Sequence, residues 1–285
     1  MKTLACVTMA YNEAALLPLW LRHYGGQVGL ENCYVIDQGS TDGSTAAMGG
    51  ANRIHLPRTA RDEVRRAAFL SEFCGALLHY HDCVLYTDAD EFAVADPARW
   101  PGLVAYAQEA PPVTTCLGIN LVHRFAHEPA LDPGRPILAQ RGYGFAISGM
   151  CKPVFIRRKV AWTAGIHSYD GPMAFGDLVL FHAAYADLDI ALDRQAKRNG
   201  HLFPEGLTGH HHQEPPRRAY EWIAEWAALP CDDDVTLLAD CPHRGGFIAE
   251  MEESARRYAG RGYGFDMLIW RNRLWRIPNR FRDAF

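Results

Sequence analysis

The distribution of hydrophobic residues over the first ninety positions alternates between short apolar runs and longer segments with helical spacing. The short runs predict buried strands, because a central strand of a parallel sheet is apolar on both faces; they cover residues 4–9, 33–37, 53–56 and 84–87. The longer segments repeat apolar residues every three or four positions, as helices do, over residues 16–24 and 61–79. This alternation predicts an α/β fold with a doubly wound, mostly parallel central sheet and helices on both faces.

The pattern changes after residue 92. Pro101 precedes a helix that should end near Glu109, and a later helix is expected over residues 187–199. Strands are predicted between them over residues 113–120, 152–156, 161–166 and 179–185, with a loop-like stretch over 121–150. This half is expected to be α+β structure packed on the edge of the first sheet. From residue 206 the pattern is helical, with one helix starting at Pro216 and another over 246–260.

Composition excludes several classes of protein. Hydrophobic residues make up 48% of the chain and charged residues 22%, as in ordinary globular proteins. The net charge of −4 gives no general attraction to nucleic acid. The eight cysteines form no Cys-x-x-Cys pair, so we expect buried thiols in a reducing compartment. No apolar run reaches the about 20 residues of a membrane span, and the N-terminal run is too short for a signal peptide. We therefore expect a cytoplasmic protein.

Three carboxylates follow the apolar run at 84–87. Asp88 and Asp90 are two residues apart, so in an extended chain both side chains point the same way. Two neighbouring carboxylates repel unless a positive charge lies between them, and hard oxygen ligands suit Mg²⁺ or Mn²⁺. Ligands of open α/β sheets bind beyond the carboxyl ends of such strands. The alternative is a polar turn in which Asp90 caps a helix.

Two further strands end in polar residues that should reach the same edge of the sheet. The first ends in residues 10–13 (Ala-Tyr-Asn-Glu), the second in 37–44 (Asp-Gln-Gly-Ser-Thr-Asp-Gly-Ser) and the fourth in 88–92 (Asp-Ala-Asp-Glu-Phe). In the order and spacing of these motifs, and in the Trp-Leu-Arg-His-Tyr segment at 20–24, the chain resembles family 2 glycosyltransferases of the GT-A fold. It is most similar to a subgroup with the Asp-Ala-Asp-Glu-Phe signature that also resembles family 92. The resemblance covers roughly residues 3–200.

The resemblance implies a division of the chain into regions. It gives a GT-A domain over residues 1–205, with a nucleotide-binding half (1–92) and an acceptor half (93–205), followed by a helical extension over 206–285. Within the first half it places Ala10, Tyr11 and Glu13 along the nucleotide. Asp37 matches the carboxylate that contacts the uracil or ribose, although a turn-forming aspartate is the alternative.

The resemblance also implies a metal site and phosphate contacts. Asp88 and Asp90 match the metal-binding pair, with Asp88 also directed to the ribose, and Mn²⁺ or Mg²⁺ is the expected cofactor. A histidine commonly completes the metal shell, and His167 and His182 are the two candidates. Lys152, and Arg65 or its neighbour Arg66, are candidates for the diphosphate; the alternative for each is a solvated surface side chain.

The implied reaction is metal-dependent transfer of a sugar from a nucleotide-sugar, most simply a UDP-sugar, to a saccharide or glycolipid acceptor, with inversion. An acceptor hydroxyl needs a general base. Many family members use a Glu-Asp or Asp-Asp pair well after the metal motif, and this chain has no Glu-Asp pair there. Asp170 is the first candidate for the base, and Glu91 and Asp177 follow, so the base and the stereochemical outcome stay open.

Two other functions stay open as well. A nucleotidyltransferase would share the sheet and the carboxylates, but it normally has a glycine-rich basic loop after the first strand, which residues 9–13 lack. A non-catalytic binding protein could keep the fold and contact the inner face of a membrane through the tail, where arginines alternate with aromatic residues over 266–285. The favoured interpretation of the tail is that its aromatic side chains pack on the body. The three histidines at 210–212 could form a loop that closes over substrate.

Overall fold

The four N-terminal strands build the parallel half of a central sheet. In a computed structural model, which describes residues 1–200, 203, 214–232, 242–258 and 264–285, β1 (Leu4–Ala10) lies between β2 (Cys33–Asp37) and β4 (Cys83–Tyr86). β3 (Asn52–His55) pairs with β2 and forms the edge, and all of these pairings are parallel. The predicted strands of this half are therefore confirmed.

The two N-terminal helices cover opposite faces of this sheet. Successive side chains of a strand point to opposite faces. Accordingly, Leu4 and Cys6 belong to the core that includes α1 (Leu17–Val28), whereas Ala5 and Val7 belong to the core that includes α2 (Glu63–Leu77). Helix α1 has proline in its first turn. Asp62 is the N-cap of α2, and its side chain accepts hydrogen bonds from two backbone amides of the first turn. The predicted α/β class, doubly wound in this half, is confirmed.

The second half of the sheet is mixed. Two-residue β8 (Phe155–Ile156) pairs antiparallel with β4 and with β6 (Val113–Leu121). β7 (Tyr143–Ala146) runs antiparallel to β6, and β9 (Phe175–His182) lies parallel to β6 and antiparallel to β5 (Glu91–Ala95). Further out, β11 (Leu274–Arg276) pairs with β7 and with β10 (Cys231–Asp232). The remaining helices are α3 (Leu103–Glu109), α4 (Leu188–Asn199), α5 (Pro216–Ala227) and α6 (Pro242–Tyr258).

Several local predictions differ from the structure. The strands β10 and β11 lie in the C-terminal stretch that is expected to be helical. The strand expected over 161–166 is wrong: Trp162 makes a single bridge to Tyr169, and Ala164–Ile166 is a helical turn in which Gly165 has a positive φ. β7 lies inside the stretch expected to be a loop. β5 was not predicted, because it begins at the charged Glu91; its other residues are apolar and buried against β9.

The C-terminal tail packs on the back of β5. Phe285 stacks on Phe92 with ring centroids 4.4 Å apart, and Phe281 is also buried. The favoured interpretation of the tail is therefore confirmed, since its aromatic side chains other than Trp270 enter the core. Membrane contact through the arginines of the tail stays a prediction. Among the described residues, no helix is both long and apolar enough to span a bilayer.

Two further predictions concern burial and boundaries. Of the seven cysteines among the described residues, six have buried thiols, as expected. The proposed boundary at residue 205 and the histidines at 210–212 fall outside the described residues. The division of the chain into two regions stays a prediction.

Candidate active site

The tips of β1, β2 and β4 open into one cleft of about 740 Å³. Tyr11 and Glu13 line it from the end of β1, and Gln38 lines it from the end of β2. The segment 88–91 forms its floor, and α2 and α4 contribute side chains from two sides. The three motifs are brought together because parallel strands place their carboxyl ends at one edge of the sheet.

A tight turn joins the tips of the first two strands. Asn12 has a φ of 56°, a left-handed conformation that asparagine tolerates better than most residues. Its side-chain oxygen accepts a hydrogen bond from the Thr41 amide at 2.8 Å, and the Ser40 hydroxyl accepts one from the Asn12 amide at 3.1 Å. The polar loop after β2 is thereby fixed against the start of α1.

Asp37 lies behind this loop and is fully buried. Burial alone would raise the pKa of its carboxyl, but hydrogen bonds from the Ser40 amide and the Arg53 guanidinium hold it at about 2. The carboxylate does not line the cleft. A contact between Asp37 and a nucleotide, as the resemblance implies, therefore stays a prediction, and it would require the carboxylate to be exposed from behind the loop.

A cluster of three carboxylates forms the centre of the cleft. Asp88, Asp90 and Glu91 each offer an oxygen, and these oxygens lie within 4.8 Å of one another. Asp90 and Glu91 are buried, and Asp88 is partly exposed. The turn is closed by a hydrogen bond from the Asp88 amide to Glu91 Oε2 at 3.2 Å. Such a cluster requires neighbouring positive charge to remain ionised.

Two positively charged side chains neutralise one side of the carboxylate cluster. Arg66 of α2 donates to Asp88 Oδ1, which also accepts from the Tyr86 hydroxyl at 2.7 Å. Lys152 Nζ lies 2.6 Å from Glu91 Oε1 and 3.3 Å from Asp88 Oδ2. Burial opposes ionisation of Asp88, but Arg66 and Lys152 hold the pKa of its carboxyl well below the usual range. Burial raises the pKa of Glu91 in spite of Lys152.

The other side of the cluster faces β9 and α4. Asp90 Oδ2 lies 2.8 Å from Arg194 Nη1, 3.2 Å from His182 Nε2 and 3.8 Å from Arg198 Nη2. Arg194 also contacts Glu13 Oε1 at 3.0 Å. Burial would raise the pKa of Asp90, but Arg194 and His182 lower it well below the ordinary value. For Glu13 burial is the stronger effect, and the pKa of its carboxyl is raised.

These residues fit a divalent cation. Asp88 and Asp90 are held ionised, and three oxygen donors converge, which is the hard donor set that Mg²⁺ and Mn²⁺ prefer. Of the two predicted histidines, His182 contacts Asp90, and its other ring nitrogen is engaged by Asn120 of β6. His167 also lines the cleft, and neither histidine belongs to the cluster of metal-ligating side chains found among the described residues.

Of the other predicted site residues, some line the cleft and others do not. Lys152 lines the cleft as an ion-pair partner of the carboxylates, and exposed Arg65 lines its rim, whereas Arg66 makes the contact with Asp88. Ala10 and Asp170 do not line the cleft. Ala10 is buried and its carbonyl accepts from the Gln38 amide.

The structure does not bring Asp170, the first candidate for the general base, to the carboxylate cluster. Asp170 is exposed, and its carboxylate accepts a hydrogen bond from the Ala161 amide at 2.8 Å. Asp177 also lies away from the cleft, where it pairs with Arg99. Of the three carboxylates considered, only Glu91 lines the cleft.

Sequence reasoning missed the arginines of α4. Arg194 and Arg198 are four residues apart and therefore share a face of the helix. Asp187 caps this helix and fixes where it begins. The spacing was visible in the sequence, but nothing local indicated that this face would meet Asp90. Arg58, whose guanidinium lies 3.7 Å above the Tyr11 ring, was missed as well.

The cleft carries more positive than negative side chains. Its described lining contains eight Lys and Arg residues and six Asp and Glu residues, a formal charge of +2 with neutral histidines. The chain as a whole carries −4. Because the cleft carries a positive excess although the chain as a whole is negative, the cleft favours an anionic ligand.

Comparisons with known proteins return only distant similarity. The chain matches no protein-family profile, and a search of curated sequences finds no match. Among solved structures it is similar to glucosyl-3-phosphoglycerate synthase from Mycobacterium tuberculosis in complex with Mn²⁺ and UDP-glucose, with 20% identity and a TM-score of 0.30 over 42% of this chain and 44% of that one. The same enzyme with Mg²⁺ and UDP gives 19% identity and a TM-score of 0.27, over 44% and 48% of the two chains. The match spans less than half of either chain, and a similarity this weak does not bear on the function.

Proposed function

We propose that this chain is a metal-dependent glycosyltransferase of the GT-A type that uses a nucleotide-sugar donor, most simply a UDP-sugar. The observation that carries the proposal is the convergence of Asp88, Asp90 and Glu91 at the carboxyl edge of a parallel sheet, inside a cleft with an excess of positive charge. The order and spacing of the three motifs, which resemble family 2 glycosyltransferases, support it further.

Asp88 and Asp90 would hold the divalent cation, with His182 beside Asp90. When bound, the cation supplies electrostatic stabilisation of the charge that builds up on the leaving diphosphate. Tyr11 and the turn at Asn12 form the wall along which a nucleotide would lie. Arg194 and Arg198 approach Asp90 from α4, on the side opposite Arg66 and Lys152, so a diphosphate over the carboxylates would meet positive charge on both sides.

The acceptor would be a saccharide or glycolipid, and the resemblance implies inversion of the anomeric carbon. Glu91 is the predicted base that lies in the cleft, but its Oε1 is engaged by Lys152 and its side chain is buried. The location in the cytoplasm, and at the inner face of a membrane, stays a prediction.

The test is release of UDP from a panel of UDP-glucose, UDP-galactose and UDP-N-acetylglucosamine, with Mn²⁺ or with EDTA. We expect slow metal-dependent hydrolysis of at least one donor, which Asp90→Asn abolishes. Asp283→Asn, an exposed carboxylate outside the cleft, is the matched control and should retain activity. Metal-dependent binding of UDP without turnover of any donor would favour a non-catalytic binding protein.

A further inference from the structure

A second cavity, of about 320 Å³, adjoins the carboxylate cleft. Its described lining is mainly apolar and includes Pro153, Tyr169, Met173, Ala255 and Phe265. His167 lines both this cavity and the cleft. The two cavities therefore meet at one imidazole ring. Cavities of this size and apolar character are typical of sites for small organic groups.

The backbone that carries His167 is strained. Gly165 has a φ of 73°, and Ile166, which is fully buried, has a φ of 62°. A left-handed conformation is an outlier for a β-branched residue, and strain of this kind persists only where surrounding structure enforces it. Here the Ile166 side chain belongs to the core between α2 and the sheet, and hydrogen bonds between Thr163 and Ser168 close the turn. The two residues with positive φ directly precede His167, the residue that lines both cavities.

The His167 ring lies against Gly165, so a side chain at position 165 would displace the ring. A Cβ atom built there would lie 2.5 Å from His167 Nε2. The ring thus folds back over Gly165, which fixes it at the junction of the two cavities. Its Nδ1 atom is buried and has no hydrogen-bond partner among the described residues. Burial and the nearby Lys152 lower the pKa of His167 to about 4, so the ring is neutral near pH 7.

We infer that the second cavity is the acceptor subsite, that it takes an apolar aryl or alkyl group of the acceptor, and that the His167 ring at the junction accepts the proton of the hydroxyl that receives the sugar. This inference rests on the proposed function. In the transfer step the acceptor oxygen bonds to the anomeric carbon, and the bond from that carbon to the diphosphate oxygen breaks with its electron pair leaving on the nucleotide. The hydroxyl proton passes to His167.

The two cavities differ in the kind of side chain that lines them. The cleft holds the charged groups suited to a nucleotide diphosphate, whereas the described lining of the second cavity contains two charged side chains, Glu252 and Arg256 of α6. An acceptor whose hydroxyl lies at the junction and whose apolar group lies in the second cavity accounts for this difference between the two cavities.

The experiment compares phenyl β-glucoside with methyl β-glucoside, which differ only in the apolar group. Binding of each to the full chain is titrated by ligand-observed NMR with UDP and Mn²⁺ present. We expect the phenyl glucoside to bind at least about tenfold more tightly, because burial of an aryl group is favourable. Ala255→Trp, which fills the cavity, should remove this preference. Ala68→Trp places the same residue on an exposed helix position outside both cavities and should retain it.

A second variant separates a contact with substrate from a structural role of the histidine. His167→Phe keeps an aromatic ring but removes both ring nitrogens, so glucoside affinity should fall while the unfolding midpoint is retained. Equal affinities of the two glucosides, or full phenyl glucoside affinity in Ala255→Trp, would overturn the inference. A wild-type protein that binds neither UDP nor any other nucleotide would instead overturn the proposed donor site, and the glucoside titration reports on the cavity independently.

Discussion

The ion pair between Lys152 and Glu91 should be strongly coupled in stability, because both side chains are almost completely buried. Lys152 Nζ lies 2.6 Å from Glu91 Oε1, and the two side chains are 6% and 2% exposed. At an effective dielectric constant of about 20, this distance gives a gross attraction of about 6 kcal/mol. Desolvation offsets much of it, but removing one partner leaves the other charge buried and should cost about 3–5 kcal/mol.

A double-mutant cycle measures this coupling. The variants are Lys152→Met, Glu91→Gln and the double variant, each unfolded in urea at pH 7 without added metal. We expect the double variant to be at least about 2 kcal/mol more stable than the sum of the single effects predicts, because it leaves neither charge unpaired. Asp88 still has Arg66 as a partner in every variant, which limits the side effects of losing Lys152.

An exposed pair of equal length is the control. Lys159 Nζ lies 2.6 Å from Glu72 Oε2, but these side chains are 57% and 72% exposed. The cycle of Lys159→Met and Glu72→Gln should give a coupling below about 1 kcal/mol, as for surface ion pairs in general. Additive effects of the two buried substitutions, or equal coupling in the two pairs, would refute the reasoning that burial decides the strength of the central pair.

Three further outcomes are expected. Burial lowers the pKa of His23 from 6.5 to about 4. The unfolded state therefore binds the proton first, and the free energy of unfolding should fall by about 3 kcal/mol as the pH drops through this window. Urea unfolding should show that His23→Gln removes this fall, and an unchanged dependence of the unfolding free energy on pH would contradict the prediction. Arg194→Met should weaken UDP binding by at least about tenfold in calorimetry, whereas Arg217→Met, at an exposed position, should not; equal losses would exclude a specific role for Arg194. Phe285→Ala removes the ring stacked on Phe92 and should lower the free energy of unfolding in urea by about 3–5 kcal/mol. A stability equal to that of the wild type would show that the tail does not pack there.

The sequence predicts best those elements whose hydrophobic pattern lies within one short segment of the chain. Leu4–Ala10 and Cys33–Asp37 are apolar runs that end in polar turns, and a parallel sheet then places their ends together. The carboxylates at 88–91 were expected at this edge for the same reason. The position of the candidate cleft at this edge therefore follows from sequence periodicity and from the geometry of parallel sheets.

The parts that could not be predicted depend on contacts between distant segments. β5 begins with Glu91, and its burial depends on β9, about ninety residues later in the chain. The choice of His182 over His167 beside Asp90 depends on the register of β9 against β6, which pairs Asn120 with His182. The turn before His167 has apolar residues that resemble a strand, but the positive φ at Gly165 and Ile166 is imposed by packing.

The central claim is that the carboxylate cleft binds a nucleotide diphosphate together with a divalent cation. Its most direct test is calorimetric titration of UDP into the protein with and without Mn²⁺, repeated on Asp90→Asn and on the exposed control Asp283→Asn. The account predicts Mn²⁺-dependent binding in the wild type and the control that weakens at least about tenfold in Asp90→Asn. UDP binding that is equal with and without Mn²⁺, or unchanged in Asp90→Asn, would contradict it.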